Sequence, residues 1–304
     1  MRHHPIVVVS SREATLADVL PRLGEGADRA LREGRVFVGA RRASSPSQRV
    51  AAGAEVVMYA PRVRGGEGPR ILLQRHGVVA AYKPADIATV ADHRGRSGTL
   101  EDEIARELAM PPAKLVATSR LDVGVSGVVL FATDEGSRAR LALARRQGRY
   151  RRHYIALSAS RPVPERGVWS APIGRDRDPR KRRAEGPGAV AATTRYALHA
   201  ATDTAALLAI EPETGRTHQI RVHAAHAGCA LYGDAAYGGP VRLISDRGSV
   251  TAIDRIALHA AWVEVPDEED ATFRIEAEAP ADLVAIWIAC GGPASAWALA
   301  SEPL

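Results

Sequence analysis

A polar, glycine-containing segment that runs directly into an apolar stretch constrains this chain more than any other feature. The segment covers residues 118–127, and the apolar stretch is Val128–Val129–Leu130–Phe131–Ala132. A short apolar run bounded by glycine predicts a buried strand. Polar residues beside such a strand are held rigidly, as binding and catalytic groups commonly are. Asp122, which one leucine separates from Arg120, is therefore a candidate for chemistry.

The net charge of the chain is positive. Its 41 Lys and Arg residues exceed its 35 Asp and Glu residues, which gives a formal charge of +6. A positive excess favours a polyanionic partner such as RNA or DNA, but it also fits a basic protein that binds no polyanion. The 304 residues, 46% of them hydrophobic, suffice for two domains of unequal size.

Neither the cysteines nor the N-terminus indicates a secreted or membrane protein. Cys229 and Cys290 are far apart and form no C-x-x-C pair, so we expect neither a disulfide framework nor a zinc ribbon. The apolar run after Pro5 is too short for a signal peptide, and no apolar run reaches the length of a membrane span. We therefore expect a cytoplasmic protein.

Residues 1–64 are predicted to form a small module. Thr15 and Asp18 fit a capping box at the start of a helix, which Pro21 should bend or shorten. Beyond this helix the pattern predicts a second helix and two paired strands, over residues 28–33, 35–39 and 55–59 respectively.

Five arginines surround the second helix and the turn that follows it: Arg29, Arg32, Arg35, Arg41 and Arg42. With these arginines and the run Glu33–Gly34–Arg35–Val36–Phe37–Val38–Gly39, the module resembles the ribosomal protein S4-like RNA-binding module. The resemblance implies that Arg35 and Arg41 contact RNA. The alternative is a solvated, arginine-rich surface on an unrelated helical hairpin.

A larger domain is expected over residues 71–290, after a glycine-rich linker at 65–70 and before a C-terminal tail at 291–304. Lys83–Pro84 should end its first strand. The patterns predict helices over residues 99–110 and 134–147, and strands over 78–82, 155–157, 195–198, 206–211, 256–263 and 272–277. Residues 175–188 are predicted to form an exposed basic loop, which either contacts phosphate or is merely solvated.

Three histidines and an aspartate could be mistaken for a metal site: His218, His223, His226 and Asp234. Their spacing lacks the i, i+4 histidine pair with an intervening glutamate that helical zinc hydrolases use. Strand-like periodicity over residues 218–223 instead predicts histidines that alternate between core and cleft. We expect no metal.

Several motifs together resemble the RluA-type pseudouridine synthases, in order and spacing over residues 71–285. The most specific is Gly215–Arg216–Thr217–His218–Gln219–Ile220–Arg221–Val222–His223. The others are Lys83–Pro84, Arg120–Leu121–Asp122 with Ser126–Gly127, Tyr154, Pro172–Ile173–Gly174–Arg175, Gly233–Asp234 with Tyr237–Gly238, and Leu258–His259–Ala260.

The resemblance implies an α+β fold in which a mixed, mostly antiparallel sheet with flanking helices surrounds a central basic cleft. It also implies an enzyme that isomerises uridine to pseudouridine in ribosomal or transfer RNA, without cofactor or metal. The chain departs from the family's His-Arg-Leu-Asp-Arg-Asp-Thr-Ser-Gly pattern at Ser119, Val123, Gly124 and Val125. These departures could change how the Asp122 loop is held and which RNA is recognised.

The resemblance also assigns roles to individual residues. Asp122 would be the catalytic carboxylate, acting either as nucleophile or as base. Arg221 would keep it ionised, and Tyr154 would stack on the extruded base. The candidates for holding the RNA or the base are Arg120, in the space that the flipped nucleotide leaves, Leu258 under the uracil, Arg216 as a phosphate or loop contact, and Lys83 at the cleft edge.

Two other functions stay open at this point. One is a catalytically impaired RNA-binding or ribosome assembly factor of the same fold, which the altered residues after Asp122 suggest. The other is a metal-dependent hydrolase. We expect RNA as the partner and a monomer as the active form.

Overall fold

The computed structural model of the chain describes residues 6–24, 26–32, 36–39, 41–43, 45–58, 68–91, 98–244 and 250–304. The chain divides into two compact units, residues 1–65 with 241–252, and residues 66–240 with 253–304. None of the helices among the described residues is long and apolar enough to cross a membrane.

The secondary structure of the described residues is as follows. The helices are α1 Leu16–Val19, α2 Ala27–Arg32, α3 Leu100–Glu107, α4 Glu135–Arg146, α5 Gln219–His226, α6 Ala281–Ala289 and α7 Ser295–Leu299. The strands are β1 Ile6–Val9, β2 Ala14–Thr15, β3 Val36–Val38, β4 Arg41–Arg42, β5 Arg49–Val50, β6 Glu55–Met58, β7 Arg70–Arg75, β8 Val78–Lys83, β9 Val116–Ala117, β10 Ser126–Ala132, β11 Arg151–Ser158, β12 Arg166–Trp169, β13 Ile173–Arg175, β14 Arg182–Ala184, β15 Thr194–Ala201, β16 Ala206–Pro212, β17 Arg242–Ile244, β18 Val250–Ala252, β19 Leu258–Pro266 and β20 Thr272–Glu276.

The first unit contains an antiparallel sheet in the order β1-β6-β3-β4. Asp18 accepts hydrogen bonds from the backbone and the hydroxyl of Thr15 at 2.9 and 2.6 Å, which fixes the start of α1. The helix ends at Val19, and a 3-10 turn containing Pro21 continues it, because proline cannot donate to an α-helical hydrogen bond. Strand β1 was not predicted from the sequence, although its apolar run pairs with β6.

The second unit is built on a mixed sheet, to which the described residues contribute ten strands. Its main order is β12-β15-β16-β11-β19-β10-β8-β7, with β20 beside β19 and β9 beside β10. The paired strands are antiparallel apart from β10 and β19, which run parallel. Helices α3 and α5 pack on one face, and α4 packs on the other. The predicted α+β fold with a mainly antiparallel sheet is confirmed.

Strand β10 is the buried strand that the apolar run predicted, and all seven of its residues are buried. Gly127 has φ +122°, and a Cβ at this position would overlap the backbone of Ala260 in β19. Only glycine therefore permits β10 to approach β19 at this point. The segment that carries Asp122 ends at this junction, which fixes its position relative to both strands.

The strand periodicity inferred for residues 218–223 is wrong, because the chain forms helix α5 here. The side-chain oxygen of Gln219 accepts hydrogen bonds from the backbone N–H of Arg216 and the hydroxyl of Thr214, at 2.9 and 2.8 Å. His218 takes a left-handed backbone conformation, φ +58°, immediately before the helix. These contacts turn the chain into a helix whose buried face includes Arg221 and His223.

Residues 291–304, predicted as a C-terminal tail, contain α7 and belong to the second unit. Their backbone carbonyls accept hydrogen bonds from buried side chains of the sheet. His153 Nε2 donates to Ala300 at 2.7 Å, and Trp262 Nε1 donates to Ser301 at 2.8 Å. These long-range contacts order the segment, and a local sequence pattern does not reveal them.

Candidate active site

A cavity of about 710 Å³ lies in the second unit, beside β11 and the start of β19. Its walls come from the segment 117–125, the turn 212–218, helix α5 and these two strands. Among the candidates from the sequence, six line it together: Arg120, Asp122, Tyr154, Arg216, Arg221 and Leu258. A cavity of this size is typical of sites for small molecules or single nucleotides.

Backbone hydrogen bonds hold the segment that carries Asp122. The hydroxyl of Thr89 donates to the carbonyl of Leu121 at 3.0 Å and accepts from its N–H at 3.1 Å. The carbonyl of Val123 accepts from the backbone N–H of Asp86 at 2.8 Å, and the N–H of Val125 donates to the carbonyl of Asp122 at 3.0 Å. Asp122 is thus fixed from both sides by backbone contacts.

The residues that depart from the family pattern have contacts of their own. Ser119 Oγ lies 3.3 Å from Tyr150 Oη. Val125 is buried, and Gly124 lies against Ile256, where a Cβ would come within 3.2 Å of that side chain. The altered residues therefore fit the packing of the segment and leave Asp122 at the cavity wall.

Asp122 belongs to a chain of charged groups. Arg221 Nη1 donates to Asp122 Oδ2 at 2.7 Å. On its other edge, Arg221 donates through Nε and Nη2 to both oxygens of Asp234, at 2.7 and 2.8 Å. The Asp234 side chain is 1% exposed, whereas the Asp122 side chain is 28% exposed. The inner carboxylate therefore orients the guanidinium, and the outer one faces the cavity.

The environment of Arg221 keeps its guanidinium charged. Burial alone would lower its pKa, but the hydrogen bonds and charge of Asp234, together with the charge of Asp122, outweigh burial and raise the pKa. The guanidinium also lies over the ring of Tyr237, with 4.8 Å between Cζ and the ring centroid. Arg221 is thus a rigid positive charge beside Asp122.

Tyr154 and Leu258 supply the apolar side of the cavity. Both are buried, and they lie on neighbouring strands β11 and β19. The pairing of these strands shifts register between His153 and Tyr154, and such a bulge re-aims the side chains around it. Burial raises the pKa of Tyr154, so its hydroxyl stays protonated at neutral pH.

Arginines from several elements surround the cavity: Arg120, Arg145, Arg152 and Arg216. Arg152 donates to the carbonyls of Pro212 and Thr214, at 3.0 and 2.8 Å, and Arg216 donates to the carbonyl of Ala191 at 3.0 Å. Arg120 is exposed, and no described residue forms a hydrogen bond or ion pair with its guanidinium. The rim is therefore suited to a polyanion.

Lys83 lies behind the Asp122 segment and does not line the cavity. Its side chain is fully buried, and Nζ donates to the backbone carbonyls of Pro84, Ile87 and Val123, at 2.9, 2.8 and 3.2 Å. Burial, aided by the charge of Arg255, lowers the pKa of Lys83 to about 7. Its contact with Val123 links the segment to the end of β8. The sequence placed Lys83 at the cleft edge, but its side chain supports the segment from behind.

The two arginines predicted to contact RNA, Arg35 and Arg41, belong to the first unit, whereas the residues that line the cavity belong to the second. Arg35 lies outside the described residues, and Arg41 is described only as part of β4. No group of three or more His, Cys, Asp or Glu side chains in the described part of the chain could hold a metal ion. His223, for example, contacts the hydroxyl of Thr194 and the carbonyl of Ala171, both at 2.9 Å.

Sequence reasoning missed several residues of the site. Arg145 and Arg152 line the cavity, Thr89 holds the Asp122 segment, and Asp234 orients Arg221. Gly233–Asp234 and Tyr237–Gly238 were part of the family resemblance, but nothing local in the sequence assigns them a role. Their function arises from contacts between side chains far apart in sequence.

Sequence comparisons identify the relatives of this chain. The family model described as RNA pseudouridylate synthase matches residues 77–226. An uncharacterized RNA pseudouridine synthase of Bacillus subtilis is 35% identical over 218 residues, which cover 70% of this chain and 69% of that protein. Ribosomal large subunit pseudouridine synthase D of Nitrosomonas europaea is 31% identical over 221 residues, which cover 71% of this chain and 64% of that protein.

A solved structure shares the fold. Human RNA pseudouridylate synthase domain containing 4 matches with a TM-score of 0.57 and 22% sequence identity, over 73% of this chain and 92% of that one. The family that the sequence motifs predicted is thus confirmed. The chain belongs to the RNA pseudouridylate synthase family, whose enzymes are isomerases that act on RNA.

Proposed function

We propose that this chain isomerises uridine to pseudouridine in RNA, and that Asp122 is the carboxylate that acts on the target nucleotide. One observation carries the proposal. Asp122 lies at the wall of the cavity with Oδ2 held by the buried Arg221 at 2.7 Å, while Tyr154 and Leu258 line the same cavity.

The reaction breaks the C1′–N1 bond of uridine, rotates the detached uracil and rejoins it through C5. A carboxylate can act as nucleophile on the sugar or the uracil, or as base at C2′, and both roles require its ionised form. Arg221 Nη1 and Asp122 Oδ2 form an ion pair at 2.7 Å, which places a fixed positive charge beside the carboxylate. Because Asp234 fixes Arg221, the charge stays in place while the nucleotide reacts.

The apolar side of the cavity suits the base. Tyr154 offers a ring on which the uracil can stack, and Leu258 offers a surface under it. These contacts retain the free uracil between breaking of one bond and formation of the next. In the last step C5 loses a proton and N1 gains one, and the hydroxyl of Tyr154 can relay this transfer by giving up its own proton as its oxygen accepts the one from C5.

A uridine in a folded RNA must leave its stack to reach Asp122, which costs a few kcal/mol. Arg120, exposed and close in sequence to Asp122, is suited to fill the space that the nucleotide leaves. Its planar guanidinium stacks on bases. The arginines Arg145, Arg152 and Arg216 would hold the phosphates on either side.

The proposal extends to the target RNA and to the part of the chain that binds it outside the cavity. We expect a ribosomal or transfer RNA, and the name of the Nitrosomonas europaea relative supports a ribosomal target. Residues 1–64 would bind RNA as an S4-like module through Arg35 and Arg41. We expect a monomeric enzyme. The free, buried cysteines are compatible with the reducing cytoplasm.

Release of tritium from RNA that carries 5-³H-uridine tests the proposal. Asp122→Asn keeps an oxygen that can accept from Arg221 but removes the charge, so release should fall by roughly a thousandfold or more. Asp270→Asn, at an exposed aspartate paired with Arg149, is the matched control and should be as active as wild type. Equal activity of Asp122→Asn and wild type would refute the assignment.

The same assay separates the alternatives. An RNA-binding or assembly factor without turnover would bind RNA and release no tritium from the total RNA of a strain that lacks the gene. Release that stops when EDTA is added would instead indicate a metal-dependent enzyme. Mapping pseudouridines in the deletion strain would then identify the target.

A further inference from the structure

The ring of His218 lies between Asp122 and Tyr237. Its Nδ1 is 2.7 Å from Tyr237 Oη, and its Nε2 is 3.8 Å from Asp122 Oδ1. The side chain is 18% exposed and lines the cavity. His218 is therefore placed to act on the carboxylate oxygen that Arg221 does not hold.

The contacts of Tyr237 favour the tautomer of His218 that carries its proton at Nε2. Tyr237 Oη accepts a hydrogen bond from the backbone N–H of Arg182 at 2.9 Å, so its own proton is available to His218 Nδ1. A neutral imidazole that accepts at Nδ1 carries its proton at Nε2. The N–H of His218 therefore lies on the side of Asp122.

The surroundings of His218 favour its neutral form. Burial lowers its pKa, and the positive charges of Arg221 and Arg182 act in the same direction. The carboxylates of Asp122 and Asp234 oppose them without reversing the shift. At neutral pH the ring is a fixed hydrogen-bond donor toward Asp122 rather than a second cation.

The two oxygens of Asp122 differ in their partners. Arg221 donates to Oδ2, whereas no described side chain lies within hydrogen-bond distance of Oδ1. The distance of 3.8 Å from His218 Nε2 is slightly too long for a hydrogen bond. Catalytic hydrogen bonds are often long without substrate and shorten in the complex.

The backbone of His218 supports a role beyond packing. Its φ of +58° lies in the left-handed region, which is uncommon for residues other than glycine and which asparagine, aspartate and histidine adopt more often than the others. Such conformations persist where the surrounding structure holds them, commonly at functional sites.

We propose that His218 is a positioning residue for the isomerisation: its Nε2–H, oriented by Tyr237, donates to Asp122 Oδ1 when RNA is bound. Together with Arg221 on Oδ2, it fixes the rotation of the carboxylate and directs it at the sugar of the target uridine. The inference rests on the proposed role of Asp122.

Two substitutions separate this role from a structural one. In His218→Gln the side-chain amide can reach the position of Nε2 and keeps a donor toward Asp122, but loses the acceptor for Tyr237. In His218→Asn the amide can reach only the position of Nδ1, so it keeps the contact with Tyr237 and loses the donor. Because asparagine tolerates left-handed backbone better, a structural role predicts that the Asn variant is the better of the two.

The measurement is single-turnover tritium release at saturating enzyme, with RNA affinity from filter binding and urea midpoints as a check on folding. A hydrogen bond to a charged group contributes about 1.5–3 kcal/mol, so His218→Asn should slow turnover about tenfold or more, and His218→Gln should recover most of that loss. RNA affinity should stay the same in both variants.

Two results would overturn the proposal: turnover in His218→Asn that matches or exceeds that in His218→Gln, or a loss in RNA affinity that accounts for the slower reaction. Asp122→Asn, measured in parallel, keeps the two hypotheses apart. If wild type releases no tritium, or if Asp122→Asn is fully active, the proposed function fails. If both behave as expected and the His218 variants do not, only the role of His218 fails.

Discussion

The substitution Asp234→Asn tests whether the inner carboxylate fixes the active site. Asp234 is 1% exposed and accepts two charge-assisted hydrogen bonds from Arg221, at 2.7 and 2.8 Å. Asparagine keeps one acceptor, loses the charge and turns an NH₂ group toward a guanidinium that has only donors. Arg221 would then keep Asp122 as its one charged partner among the described residues, and that partner is partly exposed.

The size of the effect follows from these contacts. Removing one partner of a buried ion pair costs about 3–5 kcal/mol, and the retained acceptor places the expected loss near 3 kcal/mol. The reaction should slow as well, because a shift of about 1 Å in a catalytic group can cost roughly a hundredfold in rate. RNA affinity should not change, since Asp234 does not line the cavity.

Urea unfolding followed by tryptophan fluorescence gives the first quantity, and single-turnover tritium release gives the second. Asp270→Asn again provides a matched control. Its ion pair with Arg149 is exposed, so the substitution should change stability by less than about 1 kcal/mol. A variant Asp234→Asn with wild-type stability and turnover would refute the view that Asp234 orients Arg221.

Two further predictions concern Lys83 and the basic hairpin formed by β13 and β14. Burial lowers the pKa of Lys83 from 10.5 to about 7, so only the unfolded chain keeps this proton between those values. The unfolding free energy of wild type relative to Lys83→Met should therefore rise by about 3 kcal/mol between about pH 7 and 9.5, and a flat difference in urea titrations would contradict it. In the hairpin, Arg177→Gln or Arg183→Gln should each reduce the slope of log affinity against log salt by about one, as measured by filter binding. Arg180→Gln should do less, because Asp178 already pairs with Arg180 at 2.9 Å. An unchanged slope in Arg177→Gln and Arg183→Gln would show that the hairpin does not bind phosphate.

The strands of the sheet could be predicted because their apolar runs are continuous. Residues 128–132 and 78–82 are buried on both faces, so each reads as one uninterrupted stretch. The first part of helix α5 was missed, because the side chains that it buries include glutamine, arginine and histidine. Burial of polar groups reverses the pattern from which a helix is usually inferred.

The site could be predicted in part. Family resemblance named Asp122, Arg221 and Tyr154, although 99 positions separate Asp122 from Arg221. It gave no reason for Asp234 or Tyr237, whose contribution is a set of hydrogen bonds between distant residues. The C-terminal segment was missed for the same reason, since its order comes from contacts with His153 and Trp262.

The parallel pairing of β10 with β19 determines when the active site can form. Ser126 and His259, hydrogen-bonded side by side at 2.8 Å, are 133 positions apart, so their contact closes a very long loop. A nascent chain that ends before Leu258 already carries Asp122, Tyr154 and Arg221, but it lacks the strand that completes the cavity. The complete cavity can therefore form only after most of the second unit has been made.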